Sequence, residues 1–515
     1  MVKYNTLDPK LAKIAGIVEK HMKTPLNLEL VIDDSFGEYS GRINGHVLSA
    51  ATHIQLLDLA GRVLRHPELT ETDTAVKSHK EICGMYFASH FHNFLDSAPL
   101  EEIYEYLDEL ALWGMNTFSI WFDLHHFRDM EEGRDKADRT IAIMKYARSI
   151  GVQVILTTVS NEAFEGSPEN LRADWTCGHD GYIYPLNDHY HLEICPSIHG
   201  GIEQILEYRR QFLEVFKDTQ PDFVSIGAYD EGGCSCTKCA PWGSNGYIRT
   251  VQALIPLYKA YFPNTKLIIS LWQFGTFTGN DEEFIGMKDA INRGDLGDNV
   301  AYFVSEPQYA RYPFAEGMPL PIIGFPEISM FNANPWGGYG ANPLPSLLKS
   351  LWERDGDKLE GGIPYSEGFY EDLNKIIMLR YYRDNQDADE SIKEYLAWEF
   401  GLEGEALERM GQAIWDLEET WKRSWDKETH RCVIENPKKV SAIAALIREI
   451  DAKLPAEVRI SKRWRQIFLR AVIDEELLKN DFYRNDVVMG YFNELIALYH
   501  LEKADKKHIK PDIWD

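Results

Sequence analysis

The sequence contains no apolar run of about 18 residues or more, so no membrane-crossing helix is expected and no membrane partner. Its first residues, MVKYNTLDPKLAKIAG, hold no long apolar stretch and no small-residue cleavage site, so no secretory signal is expected either. Positive charge is scarce: 54 Lys and Arg stand against 81 Asp and Glu, a formal net charge of −27. A duplex or single strand of nucleic acid needs a basic surface that displaces counterions, so that class of partner is excluded. Cysteine is sparse and odd in number at seven, which in a chain without a signal points to reduced thiols and a cytoplasmic location. Repeats of fixed period and low-complexity tracts are also missing. What is abundant is aromatic surface, with 13 Trp and 26 Tyr, the ring types on which flat sugar faces stack.

At 515 residues the chain is too long for one ordinary core. Three zones follow from the pattern. Residues 1–79 read as a small α/β domain, with a strand-like LNLELVI followed by HVLSAATHIQLLDLAGRVLRH at helical spacing. Residues 80–385 alternate β-rich runs with amphipathic stretches. The runs are ICGMYFAS, NTFSIWFD, VQVILTTVS, DFVSIGAY, KLIISLWQF, VAYFVSE, LPIIGF and GGIPYSE. Eight such strands over about 300 residues predict a (β/α)₈ barrel, with a doubly wound sheet as the alternative. Residues 386–515 show helical periods and no strand, predicting an α-helical C-terminal domain that could supply a dimer surface.

A barrel carries its chemistry on the loops after the C-terminal ends of its strands. Reading those positions in order gives His90 and His92, then Asp123, His125 and His126, then Asn161 and Glu162. Tyr229, Asp230 and Glu231 follow the fourth strand, Trp272 the fifth, Glu306 the sixth, Glu327 the seventh, and Tyr365 and Glu367 the eighth. Carboxylates and rings gathered at one rim suit glycoside cleavage, in which paired carboxylates protonate the leaving oxygen and stabilise or attack an oxocarbenium-like centre. Asp230 and Glu231 stand out because adjacent carboxylates after an apolar strand repel each other, an arrangement associated with catalysis or a cation. Trp272, Trp336 and Tyr365 are the stacking candidates.

SIGAYDEGG resembles the fourth-strand motif of the family 20 β-hexosaminidases, in which an Asp-Glu pair ends the same strand. GRINGHVLSAATHIQLLDLAG is similar to the small domain that precedes the barrel in glycoside hydrolase families 20, 67 and 84. The order of cap, barrel and helical tail looks like the α-glucuronidases and α-N-acetylglucosaminidases. DEGGCSCTKC and YSEGFYEDLNK resemble uncharacterised barrel proteins related to these hydrolases, in which an acidic residue precedes a C-x-C-x-x-C loop. The resemblance implies Glu231 as general acid and Asp230 as the residue that orients the substrate or its acetamido group. In the retaining layout of such barrels Glu327 would be the second carboxylate. It further implies a carbohydrate substrate, best a β-linked N-acetylhexosamine or a related acidic or amino sugar. No cofactor is then needed for catalysis.

Two features stand beside that reading. Cys234, Cys236 and Cys239 form C-x-C-x-x-C, and Cys195 could return as a fourth ligand to make a closed structural Zn²⁺ site, with Cys177 competing for that place. Free thiols in a tight turn are the alternative. The second feature is H-x-H at His90 and His92, which with His125 and His126 offers a metal-dependent hydrolase or lyase. Against an amidohydrolase stands the lack of any histidine between His199 and His430. A barrel that binds carbohydrate without turning it over is the remaining class.

Overall fold

The structure, a computed structural model, describes residues 1–89, 94–174, 192–229, 232–329, 342–366, 372–426 and 428–500. By internal contacts the chain divides into two compact units. One comprises Met1–Asn116, Glu327–Gly356 and Pro364–Asp515; the other comprises Thr117–Pro326 and Asp357–Ile363.

The first unit begins with a five-stranded sheet: β1 (Val2–Lys3), β2 (Leu28–Ile32), β3 (Ser40–Asn44), β4 (Val47–Ala50) and β5 (Asp73–Lys77), in the order β1-β2-β4-β3-β5. The periodicity of residues 46–66 predicts one helix, but the helix starts only at His53 and runs to Arg65. Val47–Ala50 is instead a strand, because it pairs in parallel with β2 and antiparallel with β3. Thr52, two residues past that strand, caps the helix, its hydroxyl accepting from the Gln55 amide at 3.4 Å. A preceding helix, Pro9–His21, is set by Asp8, whose carboxylate accepts from the Lys10 and Leu11 amides.

Ten parallel-paired strand segments form the large sheet. They are β6 (Ile82–Phe87), β7 (Thr117–Trp121), β8 (Gln153–Val159), β9 (Phe223–Gly227), β10 (Lys266–Ser270), β11 (Val300–Ser305), β12 (Ile322–Gly324), β13 (Glu327–Ser329), β14 (Gly361–Gly362) and β15 (Tyr365–Ser366). Pairing of β6 with β7 closes them into an eight-strand parallel barrel. The last two barrel positions are each split in two, at Pro326 and at Pro364. A proline has no N–H to give to the ladder, so each strand is interrupted there. Strands buried on both faces need near-continuous apolar runs, and β7, TFSIW, is buried at all five positions. The helices Arg134–Ser149, Gly201–Phe216, Gly246–Tyr261 and Glu282–Arg293 alternate with β7 to β11 along the second unit.

In the first unit the helix His53–Arg65 lies so close to Leu100–Leu112 that a Cβ on Gly61 would sit 1.8 Å from the Leu112 carbonyl oxygen. The same helix presents Asp58 to Arg62 and to Arg383 of the helix Asp372–Asp384, forming a buried ion network. Six longer helices cover Asp372–Asp384, Ala388–Phe400, Gly404–Glu419, Val440–Asp451, Lys462–Lys479 and Asp486–Leu498. The region where no strand is predicted also contains an antiparallel hairpin, β16 (Arg423–Asp426) with β17 (Arg431–Ile434). Its Arg423 is buried against Asp474, a tertiary ion pair that a helical period cannot announce. Among the described residues no helix is long and apolar enough to cross a membrane.

Candidate functional site

Within the second unit, the chain leaving β7 carries Asp123, His125 and His126. Their ligating atoms all lie within 4.8 Å of one another, and the two imidazole rings are 4.2 Å apart. Glu162, three residues past the end of β8 at Val159, holds this loop. Its Oε1 accepts from the Leu124 amide and lies 3.0 Å from His125 Nδ1. Its Oε2 is 3.9 Å from the Arg209 guanidinium, which also donates to the Val159 carbonyl. A buried carboxylate with backbone, imidazole and guanidinium partners is a positioning device. Asp123 Oδ2 and His126 Nε2, 3.7 Å apart, form a carboxylate–imidazole pair at the strand end.

At the end of β9 the chain is held on both sides of the acidic pair. Before it, the Tyr229 hydroxyl donates to Glu283 Oε1, the Trp242 indole N–H donates to the Ala228 carbonyl at 2.7 Å, and the Tyr247 hydroxyl donates to the Ile226 carbonyl. Glu283 also accepts from the Gly243 amide at 2.7 Å and, through Oε2, from the Gly275 amide at 2.8 Å. Burial pushes the Glu283 carboxyl above its ordinary range; the hydrogen bonds from Tyr229, Gly243 and Gly275 pull the other way without cancelling it. After the pair, a Cβ on Gly232 would meet Val159 Cγ1 at 2.4 Å, so only glycine lets the backbone pass this close to β8. Asn161 then clamps Gly233: its Oδ1 accepts from the Gly233 amide at 2.7 Å, and its Nδ2 donates to the Gly233 carbonyl at 2.8 Å and the Ile194 carbonyl at 2.9 Å. Asn161 and Glu162 thus act on loops. Asp230 and Glu231 themselves lie outside the described residues, as do His90, His92, Trp336, Glu367 and Cys177.

Following β10, the half-buried Trp272 ring meets Phe325 edge-on at 5.8 Å. Gln273 takes a positive φ of 61° and its amide donates to Glu306 Oε1 at 3.2 Å, which sets Glu306 beside the fifth strand end. In the first unit Glu327 is in register with Tyr365, whose ring lies 5.2 Å from that of Tyr86. The sequence does not single out Glu283 or Arg209. Glu283 sits in NDEEF, where a first-turn acid normally serves the helix dipole in solvent, and nothing in the sequence signals its complete burial.

Cys195, Cys234, Cys236 and Cys239 come together, with all four sulfurs within 4.8 Å of one another. The Cys195 thiol is pulled down chiefly by hydrogen bonds from Cys234 and Cys239, whose own thiols are pushed up by the same contacts.

The fold and these strand ends define a parallel barrel whose C-terminal rim bears carboxylates, imidazoles and rings. No protein-family model matches the sequence, and no curated protein matches it. Solved structures do match. A family 89 glycoside hydrolase from Clostridium perfringens, in complex with its substrate GlcNAc-α-1,4-galactose, superposes with a TM-score of 0.60 at 13% identity over 95% of this chain and 64% of that one. A GH138 enzyme targeting pectin rhamnogalacturonan II gives 0.58 at 11% identity, over 97% of this chain and 72% of the other. CpGH84B gives 0.51 at 9%, over 96% and 92%. The chain spans 64% of the length of the family 89 structure. Its fold is the barrel architecture of these glycoside hydrolases.

Proposed function

We propose that the chain is a glycoside hydrolase that releases a terminal sugar by carboxylate general acid catalysis, with a β-linked N-acetylhexosamine or a related acidic or amino sugar as substrate. The observation that carries the reading is the anchoring of the chain on both sides of Asp230 and Glu231. Tyr229 is tied to Glu283 and Gly233 to Asn161, at the C-terminal end of a barrel strand where such folds keep their chemistry. A general acid must be held within hydrogen-bond reach of the leaving oxygen, and anchors on the residues before and after the pair support that reading. In this reading Glu231 donates the proton and Asp230 orients the substrate or its acetamido group. Glu327 acts as second carboxylate if the reaction runs through a double displacement. Asp123, His126, Trp272 and Glu306 would contact sugar hydroxyls and faces. The family 89 neighbours, one with GlcNAc-α-1,4-galactose and one with PUGNAc, favour trying N-acetylhexosaminides first.

The test is turnover on a panel of aryl glycosides of both anomers, including N-acetylhexosaminides, hexuronides and sialosides, with wild type and Glu231→Gln. Hydrolysis of one member, with kcat lowered about 10²–10⁴-fold in the variant and an unchanged fold, is expected. Near-normal rates in Glu231→Gln would remove that residue from the mechanism. Sugar binding without turnover would make the barrel a carbohydrate-binding protein. Loss of turnover on brief chelation, with the fold intact, would move the chemistry to Asp123, His125 and His126.

A further inference from the structure

The four clustered cysteines have a geometry that reduced thiols do not need. Cys195 Sγ lies 3.8 Å from both Cys236 Sγ and Cys239 Sγ. A regular tetrahedron of Zn–S bonds of about 2.3 Å has edges of about 3.8 Å, so these separations fit four thiolates around one ion. They are far too long for a disulfide, and all four residues are free cysteines. The surroundings suit a thiolate centre. The Cys236 carbonyl accepts from the Cys239 and Ala240 amides, both at 2.9 Å, a tight turn that sets Cys236 and Cys239 on one side. Ser197 Oγ lies 3.0 Å from Cys239 Sγ, placed to donate to a thiolate. Arg249 donates to Ser197 Oγ and, at 3.2 Å, to the Lys238 carbonyl, which brings positive charge beside a centre that four thiolates would leave net negative. The cluster is also prearranged by protein alone: Asn161 clamps Ile194 and Gly233, the residues immediately before Cys195 and Cys234.

We infer that Cys195, Cys234, Cys236 and Cys239 bind one zinc ion as a closed structural site that joins the segment after β8 to the loop after β9. Soft thiolates in tetrahedral array select zinc over hard cations, and four protein ligands leave no position for water or substrate. The ion therefore stiffens the loop that begins at Tyr229 without entering any reaction. The assignment stands on the sulfur geometry and not on what the barrel catalyses.

The experiment is elemental analysis of the purified full chain, followed by titration with an organomercurial in the presence of a chromogenic zinc indicator. One zinc per chain is expected, released in step with modification of four thiols. Exchange of cobalt into the site should give the thiolate-to-cobalt charge-transfer and d–d bands of a tetrahedral sulfur centre. Cys177→Ser should keep its zinc, and Cys195→Ser should lose at least 90% of it. The wild-type titration decides the matter even if Cys195→Ser fails to fold. A chain that carries no metal and takes up none on refolding with zinc would overturn the assignment. So would stoichiometric iron, or four thiols that all react with Ellman's reagent at the rate of exposed cysteine in the zinc-supplemented protein.

Discussion

Replacing Asn161 by alanine isolates the contribution of the clamp. The side chain is wholly buried and makes three hydrogen bonds to two loops, one to Ile194 and two to Gly233. Truncation leaves the Gly233 amide without its acceptor and withdraws a donor from two carbonyls. Each buried group left unsatisfied costs about 1–3 kcal/mol, and relaxation makes the three less than additive, so about 3–6 kcal/mol is expected. That loss is local: it falls on the segments around Ile194 and Gly233, which can open without global unfolding. Hydrogen exchange followed by mass spectrometry on peptides covering 192–200 and 232–240 should speed up by about 10²-fold or more, since about 1.4 kcal/mol is a factor of ten. Peptides from β10 and β11 should not change. Asn161→Asp keeps an acceptor for the Gly233 amide but faces two carbonyls with a carboxylate, so it should be no better than alanine. Unchanged exchange in both segments, or a change in only one, would refute the view that one amide couples the two loops.

Asp58→Asn should destabilise the first unit by about 3–5 kcal/mol, because it leaves Arg383 buried without its counter-charge and Arg62 with Asp384 alone. Burial alone would raise the Asp58 carboxyl, but the charges of Arg383, Arg62 and Arg380 outweigh it and hold the group well below its ordinary value of 3.8. Its contribution is therefore complete above that value and is lost as pH falls below it; the gap between wild type and variant in urea midpoint should narrow below about pH 4, and a gap constant down to pH 3 would contradict this. Glu283 has the opposite sign: raised above 4.5 by burial, it makes stability fall as pH rises through the window above that value. Tyr229→Phe removes a hydrogen bond to the charged form and should steepen the fall, whereas Glu283→Gln should flatten it, both read from urea midpoints between pH 4.5 and 8. Gly61→Ala places a methyl 1.8 Å from the Leu112 carbonyl oxygen, so the two helices must separate; a loss at or above about 3 kcal/mol is expected in chemical denaturation, and a midpoint equal to wild type would show that the close approach is not required.

The barrel was legible because its signal is local. Most strand positions are buried, so the strands show as apolar runs, and helical stretches with a period near 3.6 stand between several of them; that alternation over about 300 residues leaves few other folds. Strand ends can be read off the same runs, and Asp123, Glu162, Tyr229 and Glu306 lie one to three residues past the ends of β7, β8, β9 and β11. The C-x-C-x-x-C spacing was equally visible. Other features depend on partners distant in the chain. Val47–Ala50 reads as helix by period and is a strand because β2 and β3 flank it. Asn161 reads as one more polar residue at a rim, and it is a clamp because Ile194 and Gly233 come to it from 33 and 72 residues away. Glu283 reads as a solvated helix-start acid, and three hydrogen bonds from Tyr229, Gly243 and Gly275 bury it. Cys195 joins Cys234, Cys236 and Cys239 only once β8 and β9 are paired. Sequence determines what each segment can be, through hydrophobic period and turn chemistry. Tertiary structure decides what each polar group does, because a buried polar group must find a partner and the chain brings that partner from afar.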